Sequence, residues 1–264
     1  MKRILISICV ILFSTNLSVF AQQNEIQTEL LIIGINHNRT KKINYKKLYQ
    51  LLEVNKPNLI LWEQSEGFER EIGLRTAYRL KIVSPTTEQL ALQLFNKKNR
   101  LIPILGFDTS FYSKKKYLNE TVRISDVFFT KLDQSKLNKE DSLKYRVYVD
   151  LHNNYIDDIY NKSLEEINLP IIYRKAKEIK EMEFNVIIPI AKKCVTDSIV
   201  LNDYISDRNF GKARNGYMVQ KILEIASAQK GKRIIVLTGL NHKYFLIEEL
   251  SKQTKMNLKL LNLQ

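Results

Sequence analysis

Apolar residues in this chain gather into short unbroken runs, separated by stretches in which they return every third or fourth position. The runs are Glu29-Leu30-Leu31-Ile32-Ile33-Gly34, Asn58-Leu59-Ile60-Leu61-Trp62-Glu63, Leu101-Ile102-Pro103-Ile104-Leu105-Gly106 and Lys232-Arg233-Ile234-Ile235-Val236-Leu237-Thr238-Gly239. A run without polar alternation suits a strand buried on both faces, as in a parallel sheet. Between the first two, Tyr45, Leu48, Tyr49 and Leu52 fall at i, i+3, i+4 and i+7, the stripe of an amphipathic helix, and Lys56-Pro57 ends it. Strand, helix and strand together have the length of a parallel β-α-β crossover.

The same pattern continues. Phe68 to Leu80 reads as a helix carrying Arg70, Arg75 and Arg79, and Ser84-Pro85 opens another through about Asn96. Met218, Ile222 and Ile225 are spaced for a helix, Leu240 to Lys252 forms a short one, and Leu258 to Leu263 closes as a strand. From about 114 to 206 the chain is rich in Lys, Asn, Tyr and Glu, with long helical stretches and few buried strands. There Val186-Ile187-Ile188-Pro189-Ile190 admits two readings, a strand or a proline-kinked helix. The expectation is an α/β fold: a mainly parallel central sheet flanked by helices, in a single domain over 22–264 with a large helical insertion.

Composition narrows this only a little. Among 264 residues, 8 Gly and 5 Pro are too few for a turn-dense sandwich or barrel. Lys2-Arg3 before the apolar stretch Ile4–Phe20, with Val19-Phe20-Ala21 at its end, reads as a signal peptide cleaved after Ala21. That predicts an exported protein, periplasmic or secreted, with no transmembrane segment left after cleavage. An uncleaved anchor is the alternative. Without the leader Cys194 is the only cysteine, so no internal disulfide is available, and a plain buried or half-buried thiol is expected. The formal charge of +14 is spread along the chain without an aromatic platform. It predicts a solvated basic surface and no nucleic-acid partner.

The chemistry concentrates in a repeated tetrapeptide. Gly34-Ile35-Asn36-His37 follows the first run and Gly239-Leu240-Asn241-His242 follows the fourth, using two of the three histidines. Glycine at that place is expected to let the chain turn off the sheet, leaving histidine at the carboxyl edge where open α/β sheets bind ligands. Glu63 and Asp108 fall at the equivalent point of two other strands. Two imidazoles and a carboxylate at one edge make a set that holds a divalent metal with a position open for water. Asp150-Leu151-His152 lies on a polar helical stretch and is expected to face solvent.

These motifs resemble those of the TraB/Tiki/ChaN superfamily, which includes erythromycin-esterase-like proteins. That family carries two G-x-x-H motifs, a glutamate closing the second strand, and an Arg-Asn/Asp-x-x-Met helix before the last motif. Here the matching residues are Gly34 to His37, Glu63, Arg214-Asn215-Gly216-Tyr217-Met218 and Gly239 to His242. The sequence departs from the family at Ile35, commonly Thr, and at Phe245, usually Gly. The resemblance implies that His37, Glu63 and His242 are metal-binding or catalytic, with Arg214 stabilising negative charge. Three functions follow from it. The leading one is a metal-dependent hydrolase of an amide, ester or lactone, acting on a small molecule or peptide. There a Mn, Co or Zn ion activates water, Glu63 serves as ligand or general base, and Arg214 and Asp108 complete the site. The others are a haem- or iron-binding protein, for which one of the 13 tyrosines could serve as ligand, and a non-catalytic scaffold.

Overall fold

The computed structural model describes residues 27–36, 43–65, 86–109, 115–254 and 256–263. The expected leader, the helix expected over Phe68–Leu80, the Ser84-Pro85 helix start and His37 lie outside the described residues.

Within them the fold is α/β, built on an all-parallel sheet. The chain runs β1 (Thr28–Ile35), α1 (Tyr45–Asn55), β2 (Leu59–Ser65), α2 (Thr87–Lys98) and β3 (Ile104–Asp108). A helical stretch follows: α3 (Lys115–Asp133), α4 (Lys139–Asn161), the single turn α5 (Leu164–Ile167), α6 (Pro170–Met182), a π-helical turn (Glu183–Ile187) and α7 (Ile188–Cys194). Then come α8 (Ser198–Ser227), β4 (Arg233–Gly239), α9 (Leu240–Ser251) and β5 (Leu258–Leu261). The sheet order is β3-β2-β4-β1-β5, with every pair parallel. β4 lies in the middle, with Leu31 opposite Ile235 on one side and Leu61 opposite Val236 on the other.

Alternate side chains of these strands enter different layers, as the two-residue period of a strand requires. Leu31, Ile33, Ile60, Trp62, Ile235 and Leu237 pack under α1 and α2, against Leu48, Leu52, Leu92 and Phe95. Leu30, Ile32, Leu59, Leu61, Ile234 and Val236 face α8 and α9, against Met218, Ile222, Leu246 and Leu250. Both faces are covered, which is why the strands read as unbroken apolar runs. The chain leaves β1 through α1 towards β2, and leaves the neighbouring β4 through α9 in the opposite direction towards β5. That reversal marks a crevice at the carboxyl ends of β1 and β4.

The described residues between 114 and 206 are mostly helical and form a third apolar cluster around Phe128, Tyr148, Tyr155 and Tyr204. α8 crosses residue 206 unbroken, so the insertion has no boundary there. Its first half belongs to the helical cluster and its second half to the sheet. The Val186–Ile190 segment is helix, not strand. Pro189 has no N–H to offer the carbonyl four residues back, and just before it the register widens, with Ile188 N–H bonding to Glu183 O. β3 begins at Ile104, three residues later than the apolar run suggested. Leu101 is exposed, and Ile102 N–H turns back to Asn99 O at 3.1 Å, so the start of that run finishes α2.

Candidate functional site

Glu63 leaves β2 on the side of α8 and α9. Between the pairs Trp62–Gly106 and Ser65–Asp108, β2 advances three residues against two in β3, so a bulge lies at Glu63-Gln64. Bulges re-aim side chains beside functional sites. Here the Glu63 carboxylate reaches across to β4, where Oε2 accepts from Thr238 Oγ1 (2.8 Å) and from Gly239 N–H (2.5 Å). Gly239 is the N-cap residue of α9, so the carboxylate caps that helix at its positive end.

Asp108, at the end of β3, and Arg214, on α8, complete the cluster. Arg214 Nη2 donates to Glu63 Oε1 (2.7 Å) and Asp108 Oδ2 (2.5 Å), and Nε donates to Asp108 Oδ1 (2.9 Å) and Oδ2 (3.2 Å). All three side chains are buried. Arg214 stands one turn before Met218, the first α8 residue in the layer under the sheet, so packing of Met218 and Ile222 places the guanidinium over the carboxyl edge. The planar fork of arginine suits this: one cation satisfies two carboxylates that would otherwise be buried without a counter-charge.

His242 sits in the first turn of α9. Its Nδ1 faces Asn215 Oδ1 at 2.5 Å and its Nε2 faces Arg214 Nη1 at 2.9 Å, with Glu63 Oε1 3.5 Å from Nε2. An amide oxygen accepts and a guanidinium only donates, so the partners assign the proton to Nδ1 and leave the lone pair on Nε2. One turn of α8 thus supplies both partners of the imidazole. Asn241, beside it, accepts from the buried Tyr155 hydroxyl at 3.0 Å, which ties α9 to the insertion. Arg214, Asn215, Asn241 and His242 line one end of a cavity of about 520 Å³ between α6, α8 and α9.

The structure therefore brings together Glu63, Asp108, Arg214 and His242. His37, the remaining expected ligand, lies outside the described residues. Among the described residues no three His, Cys, Asp or Glu side chains are disposed to hold a metal ion. In this arrangement the Arg214 guanidinium occupies the space between the two carboxylates and the imidazole. Asp150 is exposed, but His152 is half-buried and stacked on Tyr148 at 6.0 Å, with burial lowering its pKa, so it does not face solvent as expected. Cys194 is half-buried.

Neither glycine acts as a turn. Gly34 lies inside β1, and Gly239 has an ordinary extended conformation (φ −61°, ψ 143°). At Gly34 the reason is close approach: an added Cβ would stand 2.6 Å from Leu240 Cδ2 and 3.1 Å from Lys243 Cδ. α9 packs directly onto the backbone of β1.

Two partners of this contact gave no sequence signal. Past Leu31 the pairing of β1 with β5 stops. The Asn168 amide takes over, accepting from Gly34 N–H (2.7 Å) and donating to Gly34 O (2.9 Å). Lys243 is buried and donates to Asn168 Oδ1 (2.6 Å) and O (3.1 Å), with its ammonium 5.6 Å from the Tyr173 ring centre. Among the described residues it has no carboxylate partner, and burial pushes its pKa down to about 7. Asn215 was visible only as the neighbour of Arg214.

No protein-family model matches the sequence, and no curated protein does. Among solved structures, an erythromycin esterase mutant in its open conformation aligns over 90% of this chain and 69% of its own, at 12% identity and a TM-score of 0.35. At that overlap the likeness bears on neither activity nor substrate.

Proposed function

We propose that this protein is a hydrolase of an ester, lactone or amide bond, in which the His242 imidazole is the base that activates water. The observation that carries the reading is the fixed imidazole. Asn215 holds the proton on Nδ1, and the Nε2 lone pair, which accepts from Arg214 Nη1 at 2.9 Å and would exchange that bond for water, lies at the inner end of a cavity large enough for a small-molecule substrate. A positioned imidazole near neutral pH is the commonest general base. When Nε2 takes a proton from water it gives up the hydrogen bond from Arg214 Nη1, while the imidazolium has a carboxylate neighbour in Glu63 at 3.5 Å and keeps Asn215 as acceptor. Arg214 shares the cavity wall and places a cation beside the carbonyl oxygen as it becomes an oxyanion. Asp108 acts through Arg214, fixing the guanidinium in plane. The leader read in residues 1–21 supports an exported site of action.

The test is a panel of nitrophenyl esters, lactones and peptide amides, assayed with protein prepared in EDTA. His242→Ala should lower kcat/KM by about 10²–10⁴-fold, the usual worth of a general base. Activity that vanishes in EDTA and returns with Mn, Co or Zn would overturn this reading and support the metal-dependent one. An intense Soret band in purified protein would support the haem-binding one.

A further inference from the structure

The cavity beside His242 continues along α8, where Asn215, Lys212, Gly211 and Arg208 line it in succession. Among the described residues nothing outside the helix's own backbone approaches within 4 Å of where a Gly211 Cβ would stand, so the middle of this wall is open. Asn215 and Arg208 are seven positions apart in the sequence, so the rise of an α-helix sets the two ends of the wall about 10 Å apart.

At the far end lies a second polar cluster, which plays no part in holding His242. Its acceptors are committed. Glu183 is buried; its Oε1 accepts from the Tyr148 hydroxyl (3.3 Å) and its Oε2 from Lys180 Nζ (2.8 Å), while Arg208 Nη1 stands 3.5 Å from Oε1. Asp207 accepts from Arg208 Nη2 at 2.6 Å. Two donors have no partner among the described residues. Arg208 Nε is buried and has no partner among the described residues. Lys212 is exposed and has no hydrogen bond or ion pair among the described residues. The Lys180 pKa is lowered, by burial first and then by Arg208, while Glu183 and Asp207 pull it up.

Arg208 is also held rigidly. Its guanidinium lies 4.8 Å from the Tyr204 ring centre and donates to Ser125 Oγ at 3.0 Å. The π-helical turn before Pro189 brings Glu183, Phe184 and Asn185 onto the same cavity. Turns of this kind interrupt helices mostly where a site is built. A pre-set donor left without an acceptor is a place where a ligand oxygen gains more than it loses by leaving water.

We propose that this far end is a carboxylate-binding subsite, and that the substrate is an ester, lactone or amide whose acyl chain carries a carboxylate about 10 Å from the bond presented to His242. The proposal rests on the hydrolase reading for the reaction, but the subsite can be tested without it. Linear dicarboxylates of increasing length are titrated calorimetrically against the wild-type protein and Lys212→Gln, a change at an exposed position. Nitrophenyl monoesters of the same acids are assayed beside their methyl-capped forms.

The expected result is binding that peaks at the length spanning about 10 Å. The free-acid ester should be preferred by about tenfold or more in kcat/KM, and Lys212→Gln should reduce that preference through KM with kcat kept. Arg208→Gln should remove the preference altogether. If that variant fails to fold, Arg208→Lys serves, since it keeps the charge and loses the fork. Dicarboxylate binding without hydrolysis of any ester would support the subsite and overturn the hydrolase reading. Hydrolysis with no free-acid preference and no dicarboxylate binding would overturn the subsite and leave the hydrolase standing.

Discussion

Replacing Arg214 with methionine keeps most of the side chain's length and removes the one charge on which the cluster depends. Glu63 and Asp108 are 8% and 3% exposed, and between them they accept four hydrogen bonds from this guanidinium at 2.5–3.2 Å. Removing one partner of a buried pair strands the other, at a cost of about 3–5 kcal/mol. A chain this long has a urea dependence near the upper end of the usual range, about 3 kcal/mol per molar, so the unfolding midpoint should fall by about 1–2 M. Arg214→Lys should lie between the two, since it restores charge but not the planar fork. The same variant reports on the metal reading. With the guanidinium gone, two carboxylates and an imidazole face one space, and zinc at about a hundredfold its Kd should stabilise Arg214→Met by about 2.7 kcal/mol and leave the wild type unchanged. A variant within about 0.5 kcal/mol of wild type, or zinc stabilising both proteins equally, would refute the account of Arg214 as the cluster's cation.

Two further outcomes follow from α9 lying against β1. Gly34→Ala should destabilise by about 1–3 kcal/mol, because a methyl group 2.6 Å from Leu240 Cδ2 overpacks a closed core; urea unfolding should show a smaller effect in a Leu240→Ala background, where the space exists. Lys243 should make stability rise with pH. Between about 7 and its ordinary 10.5 the unfolded chain holds a proton that the folded chain has released, so each unit of pH adds up to about 1.4 kcal/mol in that window, and the gain is lost as pH falls through 7. Comparing unfolding of wild type and Lys243→Met at pH 6.5 and 9 measures this, and parallel profiles would contradict it.

The strands were legible because burial on both faces leaves no polar alternation, and each expected run overlaps an observed strand. Their order was not. Runs such as Leu-Leu-Ile-Ile and Ile-Ile-Val-Leu are interchangeable as partners, and nothing local says that β4 enters between β1 and β2. In the site, Glu63, Asp108 and His242 were visible as polar residues just after apolar runs, and Arg214 through its helix motif. Arg214 was expected to steady an oxyanion; it is also the internal cation of the cluster. That role depends on which strands are neighbours, so no spacing could have disclosed it. Asn215, Asn168 and Lys243 were hidden for the same reason. An amide or an ammonium becomes structural only through a partner brought from far along the chain, as Asn168 is to Gly34 across 134 positions.

The central place of β4 also fixes when the sheet can close. β2 has β3 as a neighbour soon after both are made, but β1 pairs only with β4 and β5, and Glu29 meets Arg233 across 204 positions. At ribosomal rates the wait between β2 and β4 is on the order of ten seconds. Throughout it the apolar segment Leu30 to Ile33 has neither of its strand partners, the kind of segment that chaperones hold and that aggregates recruit. Such separated contacts also predict slow closure of the sheet after release. Any chain interrupted before Arg233 leaves β1 with no strand to join.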